Sequence, residues 1–362
     1  MFLAAALLPG CGVILDIEPW AASATGAGGA SSSSAISASS STSSGCSMCA
    51  GTCVDLGADA DNCGRCGTSC FGAMCIGGKC EAATIAHDDN GHLLAAFGDA
   101  IAIASSDKIA HYRKNGNLVA LVGMTDGPVT AMAADESTLY VAEFGLHSLS
   151  ADGTFRDLGQ YQDPQGSIVD LQANAMSIAP FIGVERRVLI STSVTGRPLL
   201  SAPRMVKGAI VETSCVTSNT MIRVASFGVT TAVLATNGEL LVCGEPPITV
   251  GPAPLDLAVV GDRPPTVVTA GKSQIQRIMN GQATTVIDDS NLSFLRVKAR
   301  GDELFVLVDP AGGGHEVRVI SLGSQASSTT LYTSAAALLD LDVDADGVYV
   351  LDKLGDVIAI GY

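Results

Sequence analysis

The chain has 362 residues, 47% of them hydrophobic and only 15% charged, and its 20 basic against 36 acidic side chains leave a formal charge of −16. That sign opposes approach to a polyphosphate backbone, so nucleic acid is excluded as an expected partner. Aromatics make up 4% while Gly numbers 40, which together with many Val, Ile and Thr points to strands and turns.

The first element is the apolar run Met1 to Leu8 (MFLAAALL), followed by Pro9, Gly10 and Cys11. It is too short to cross a bilayer, which takes about 20 apolar residues in a helix. It also lacks the basic flank that precedes the apolar stretch of an export signal. Leu8-Pro9-Gly10-Cys11 resembles the lipobox of bacterial lipoproteins, with Leu8 in the apolar position and Gly10 in the small one. The resemblance implies that residues 1–10 are a signal segment removed on export and that Cys11 becomes a lipidated N-terminus. Membrane attachment then runs through the lipid anchor only, and Gly12 in place of an aspartate implies the outer membrane. Pro9 departs from the usual motif. A plain secretory signal or a buried apolar strand is the competing reading.

Residues 11–45 continue from that cysteine as a Ser/Ala/Gly-rich linker. Residues 21–45 have no charge and almost no side chain able to pack, the composition of a flexible tether. Counted from residue 12, it has an r.m.s. reach of roughly 30–35 Å, at about 5–6 Å times the square root of its length.

Residues 46–80 hold Cys46, Cys49, Cys53, Cys63, Cys66, Cys70, Cys75 and Cys80. Thiols this dense persist as structure only where disulfides survive, outside the reducing cytosol. With few apolar side chains, bridges must supply the segment's stability. Eight cysteines allow 105 pairings, and spacing alone does not choose among them. The C-x2-C-x3-C spacing occurs twice, and with Asn62-Cys63-Gly64-Arg65-Cys66-Gly67 the segment resembles the short cysteine-rich modules of secreted myxobacterial proteins. That resemblance carries no activity. Zinc held by Cys46/Cys49 and Cys63/Cys66 is the alternative, opposed by the absence of His and the surplus of thiols. With Cys11 assigned to lipid, Cys215 and Cys243 remain, either as a disulfide or as two buried thiols.

From residue 81 to 362 short β-rich runs alternate with turn signals, and no stretch sustains a helical apolar period. The clearest unit is the last: Leu338 to Asp344, a turn at Ala345-Asp346-Gly347, Val348 to Leu351, and Asp356 to Ile360. A related unit runs from Val129 to Leu158, and weaker copies begin near His92, Ile168, Ile222, Leu255 and Leu292. Glu239 to Val242 and Glu303 to Val308 are expected to fill second-strand positions. Spacings of about 30 to 54 residues suit the four-stranded blades of a β-propeller. Asp344 to Val350 resembles the hairpin of NHL-like and related propeller repeats of secreted bacterial proteins. Seven blades are expected, with six as the alternative, and Ala83 to His87 is expected to complete the last blade and close the ring.

Motifs that carry chemistry are few. Ala270-Gly271-Lys272-Ser273 ends like a Walker A loop, but the first glycine would fall at Thr266, so a hairpin is the better reading. His87, His92, His111, His147 and His315 are scattered among the expected blades. Asp342, Asp344 and Asp346 match the first half of a calcium loop, yet the closing acidic position falls at Lys353, and the run reads better as a strand and turn. No cofactor is expected. Together these features predict an exported cell-envelope lipoprotein whose propeller loops bind a protein or glycan, without catalysis. A propeller-type lyase or hydrolase, or a passive structural role in the envelope, is the alternative.

Overall fold

Among the described residues every regular element is a strand, as the short β-branched runs separated by Asp, Asn and Gly demand. The computed structural model describes residues 46–124, 127–135, 137–143, 145–160, 168–176, 186–192, 198–203, 211–217, 219–227, 230–251, 254–262, 265–322 and 326–362. The expected signal segment 1–10, Cys11 and the linker 11–45 lie outside them. No helix among the described residues is long and apolar enough to cross a membrane.

Two small hairpins come first: β1 (Ser47–Cys49) with β2 (Thr52–Val54), and β3 (Cys75–Ile76) with β4 (Lys79–Cys80). Disulfides join Cys46 to Cys53, Cys49 to Cys66, Cys63 to Cys75 and Cys70 to Cys80. No CxxC pair closes on itself. Cys63, Cys70 and Cys75 are buried and take the place of an aliphatic core.

The blades follow. Blade 1 has β6 (Leu93–Phe97), β7 (Ala100–Ala104), β8 (Lys108–Arg113) and β9 (Leu118–Gly123); blade 2 has β10 (Ala131–Ala134), β11 (Thr138–Ala142), β12 (Gly145–Ser150) and β13 (Phe155–Gln160). Blade 3 has β14 (Ile168–Met176), β15 (Arg186–Thr192), β16 (Pro198–Pro203) and β17 (Val211–Val216); blade 4 has β18 (Met221–Phe227), β19 (Thr230–Ala235), β20 (Glu239–Val242) and β21 (Ile248–Thr249). A six-stranded sheet comes next, with β22 (Pro254–Asp262), β23 (Pro265–Met279), β24 (Gln282–Arg300), β25 (Glu303–Pro310), β26 (His315–Ser321) and β27 (Ser327–Ser334). The last blade has β28 (Leu338–Val343), β29 (Gly347–Asp352), β30 (Asp356–Gly361) and, as its outermost strand, β5 (Ala83–His87).

The six-stranded sheet is two blades in series. Its long strands change partner midway: residues 265–271 pair with β22 while 272–279 pair with β24, and β24 turns from β23 to β25 near Leu292. The first strands, β6, β10, β14, β18, β22, β24 and β28, then touch in a closed cycle. This is a seven-bladed propeller with those strands around its axis. Pairing of β5 with β30, at Asp356↔His87 and Val357↔Ala86, closes the ring as the sequence predicted. One expectation is corrected: Glu239–Val242 is a third strand, because Thr230–Ala235 forms the second.

Second strands are walled by blades on both sides, so they lose the polar alternation of a half-exposed sheet. β7, β11, β19 and β29 are buried at every residue. The core is therefore a set of interblade seams, such as Ile101 and Ile103 against Tyr349 and Leu351 between blades 1 and 7. Each fully buried Ile or Leu stabilises the fold by about 1.5–3 kcal/mol.

The cysteine-rich segment packs on one end of the last blade. Phe71 meets Tyr349 edge to face at 5.5 Å and lies against Gly347, and Cys80 is so close to Gly361 that a Cβ there would stand 2.5 Å from its Sγ. The propeller end bearing the β28–β29 turn is thus covered beside blade 7. The opposite end is left open there.

Candidate functional site

Two polar regions stand out from this scaffold, one around the axis and one at the open end between blades 7 and 1. Around the axis, five first strands share a local pattern of two apolar residues, a charge and another apolar residue. The charges are Asp170, Arg223, Asp256, Arg296 and Asp340. In all five the register with the second strand slips at the preceding residue, a β-bulge that re-aims the charged side chain. Blades 1 and 2 have neither the bulge nor the charge.

The signs alternate from blade 3 to blade 7, and each carboxylate reaches the first strand of the next blade. Asp170 Oδ2 accepts the Val224 N–H at 2.8 Å, Asp256 Oδ2 that of Val297 at 2.8 Å, and Asp340 Oδ2 that of Leu94 at 2.9 Å. Arg223 Nε donates to Asp256 Oδ1 at 3.1 Å, Arg296 Nε lies 3.4 Å from Asp340 Oδ1, and Lys298 Nζ lies 3.6 Å from Asp342 Oδ1. Burial pushes the Asp170 carboxyl up to about 6, only partly offset by Arg223. Lys298 also loses solvation, but Asp342, Asp340, Asp256 and Asp170 hold it charged and raise it to about 12. An odd number of blades cannot alternate sign all the way round, and the two apolar blades absorb that mismatch. Chemically the belt sets four carboxylates against three cations, ties strands together and holds no convergent acid/base pair among the described residues.

The calcium-loop candidates do not converge either. Asp342 Oδ2 accepts the Ala96 N–H at 2.8 Å. Asp344 Oδ1 accepts the Asp346 and Gly347 N–H groups and the Tyr349 hydroxyl, fixing the β28–β29 turn. Asp135 does the same for Ser137, Thr138 and Tyr140 in blade 2, so the repeated Asp-to-Tyr spacing is a turn device. Lys114 Nζ lies 2.6 Å from Asp344 Oδ2 and 2.5 Å from Asp346 Oδ2; the first contact is an ion pair by distance without hydrogen-bond alignment. It clasps blade 1 to blade 7 where a cation would otherwise sit.

Cys215 and Cys243 are disulfide-bonded, Cα atoms 5.2 Å apart, linking β17 of blade 3 to the end of β20 in blade 4. The histidines lie apart. His92 meets the Val129 carbonyl, His315 meets Asp309, and His147 stacks on Phe155. His111 is fully buried and stacked on Phe97, and neither ring nitrogen meets a hydrogen-bond partner among the described residues. Burial lowers its pKa and keeps it neutral.

The second region, which sequence reasoning missed, is a groove lined by His87, Asp88, Asp89, Asn90, Lys108, Tyr112, Leu118 and Leu121. His87 ends β5, and its Nδ1 lies 2.8 Å from Asp356 Oδ1 and its Nε2 2.9 Å from Asp89 Oδ1. Ionised carboxylates only accept, so this geometry favours the protonated ring, whose two nitrogens both donate. The Asp356 bond, followed by that of Asp89, raises its pKa. Lys108 Nζ pairs with Asp88 Oδ2 at 2.8 Å, and the Tyr112 hydroxyl donates to the His87 carbonyl. Gly355 permits this packing, since its φ is +90° and a Cβ would stand 2.2 Å from the Asp88 carbonyl oxygen. The only sequence signal was the apolar alternation failing in LVALVG of β9.

No family model and no curated protein matches the chain. Solved structures match across the propeller. The WD40 domain of Neurospora crassa Pan2 aligns with a TM-score of 0.59 at 13% identity, covering 77% of this chain and 95% of that one. Catalytically inactive virginiamycin B lyase from Staphylococcus aureus, with quinupristin, aligns at 0.58 and 9%, covering 78% and 98%. BBS1N in complex with ARL6DN aligns at 0.56 and 15%, covering 78% and 97%. At these identities the shared property is the propeller fold.

Proposed function

We propose that the chain is an exported cell-envelope lipoprotein, acylated at Cys11 and held in the outer membrane, whose propeller is a non-catalytic binding module for a protein partner. The observation that carries this reading is a contrast between the two polar regions. Around the axis the carboxylates are committed to a neighbouring strand's N–H or to an Arg or Lys. At the open end, Leu118 and Leu121 stand 51% and 59% exposed beside the Asp88, Asp89 and Asp356 carboxylates, which pair with Lys108 and His87 at the surface rather than with a neighbouring blade's strand. Exposed aliphatics framed by polar groups are the mark of a docking surface. The serine-rich tether would let that surface range clear of a bilayer.

The test joins anchoring to binding. Palmitate labelling of cells making the chain should be lost in Cys11→Ser. A photo-reactive residue at Leu354, on the same open end, should yield protein adducts on whole cells, and one at Ile76, in the cysteine-rich segment, should not. Labelling that persists in Cys11→Ser removes the anchor. Adducts that contain only glycan, or that form only from Ile76, overturn the docking face.

A further inference from the structure

We propose that the groove between blades 7 and 1 receives an extended segment of a partner protein that carries an aliphatic side chain next to a Lys or Arg. This deepens the preceding reading and rests on it. Residues 118 and 121 are three apart, and on a regular strand they would face opposite sides. The ladder between β8 and β9 slips once, pairing His111 with Ala120 but Tyr112 with Leu118, so that Val119 is skipped. Leu118 then shares a side with Tyr112, whose ring packs against the blade 1–7 seam. Leu121 opposite Ala110 falls on that same side, because Ile109 and His111 point the other way, toward blade 2. The bulge thus gathers two leucines into one apolar floor.

Two other outer strands differ from β9 in this respect. The outer strand of the sixth blade, β27, reads SSTTLYTS and exposes its polar half, and β13 carries Arg156 and Asp157. β9 is also an edge, paired with β8 alone, so its second row of backbone donors and acceptors is open to an added strand.

Charge selects the occupant. The rim holds Asp88, Asp89 and Asp356 against Lys108 and His87. Asp89 is 83% exposed, and the whole chain carries −16, which disfavours a second copy of itself or an acidic segment. His87 already occupies the place of a basic side chain, bridging Asp89 and Asp356 from within. An incoming guanidinium or ammonium would meet those same two carboxylates, with Asp88, Lys108 and Tyr112 the other titratable groups facing the site. Loss of the His87 proton leaves the carboxylates without their internal cation, so binding of a basic segment strengthens as pH rises.

The probes are three fluorescein-labelled extended heptapeptides of matched length, basic-aliphatic, acidic-aliphatic and uncharged polar, titrated against the whole chain by fluorescence anisotropy. The basic-aliphatic peptide should bind at least tenfold more tightly than either of the others. Leu121→Glu should weaken it at least tenfold. Asp89→Asn with Asp356→Asn should cut the preference over the acidic peptide to less than threefold while the chain's melting temperature stays unchanged. His87→Gln should abolish the pH dependence between pH 6 and 8. Equal affinity for the three peptides, or binding indifferent to Leu121→Glu, overturns the groove assignment. The Leu354 cross-linking decides the binding-module reading separately, so adducts there with no peptide selectivity sink the groove and leave the module.

Discussion

Individual polar residues here are decided by which seam encloses them. His111 sits opposite Ala102 and Ala120, at 0% exposure against Phe97, with no partner for either nitrogen among the described residues. Its folded-state pKa is lowered from 6.5 by burial, so below that pH the unfolded chain binds a proton the folded chain refuses. Stability from this group is complete at neutral pH and is lost as pH falls from about 6.5, at up to about 1.4 kcal/mol per pH unit. Asp99, Arg113 and Asp152 are the charges nearest in effect. Urea midpoints between pH 8 and 5 should fall for the native chain and fall less for His111→Phe; identical slopes would remove His111 as the source. Asp256 makes the opposite kind of contact, accepting from Arg223 on one side and from Val297 on the other. Asp256→Ala should cost about 2–4 kcal/mol by urea denaturation, because a buried donor and a cation lose their partner together. Asp256→Asn, which keeps the acceptor for Val297, should cost clearly less, and equal losses would argue that charge alone matters.

Among the elements, the recurring unit is a bulged first strand followed by a wholly buried second strand. The bulge in five blades turns one charge toward the next blade, and these links run between first strands that share no backbone ladder. Blades 3 and 4 have an additional covalent link in Cys215–Cys243, which closes 28 residues. Chain-entropy reasoning assigns a loop of that length about 3–4 kcal/mol. Replacing both cysteines by serine should therefore lower the melting temperature by several degrees under non-reducing conditions. A reductant should shift the native chain far more than the double variant. An unchanged native melting temperature in reductant would show that neither this bridge nor those of residues 46–80 bear on global unfolding.

For the whole molecule, closure matters more than any one blade. β5 comes from the N-terminal side of the ring and pairs with β30 from its C-terminal side, so the first and last blades cannot separate without breaking a ladder. A chain beginning at Asp88 leaves β30 as an open apolar edge and should elute as aggregates, whereas one beginning at Glu81 should remain monomeric. If both behave alike on size exclusion, closure by β5 is dispensable. The cysteine-rich segment adds to this closure through Phe71 on Tyr349, Arg65 on the Tyr362 carbonyl oxygen and Cys80 on Gly361.

The sequence by itself determined the repeating strand-and-turn pattern, the seven starting points near His92, Val129, Ile168, Ile222, Leu255, Leu292 and Leu338, and the strand that closes the ring. These are local signals: apolar runs of strand length, and Asp or Gly at turns that require them. Only the tertiary structure chose one pairing among eight cysteines, because distance in space is unrelated to spacing along the chain. Only it resolved Asp342, Asp344 and Asp346 into an interblade hydrogen bond, a turn and a clasp on Lys114. The charge belt was written in five short motifs, but its meaning depends on neighbours 33 to 246 residues away. The groove was least legible, since a single bulge in β9 decides whether Leu118 and Leu121 share a side, and register is a property of two strands.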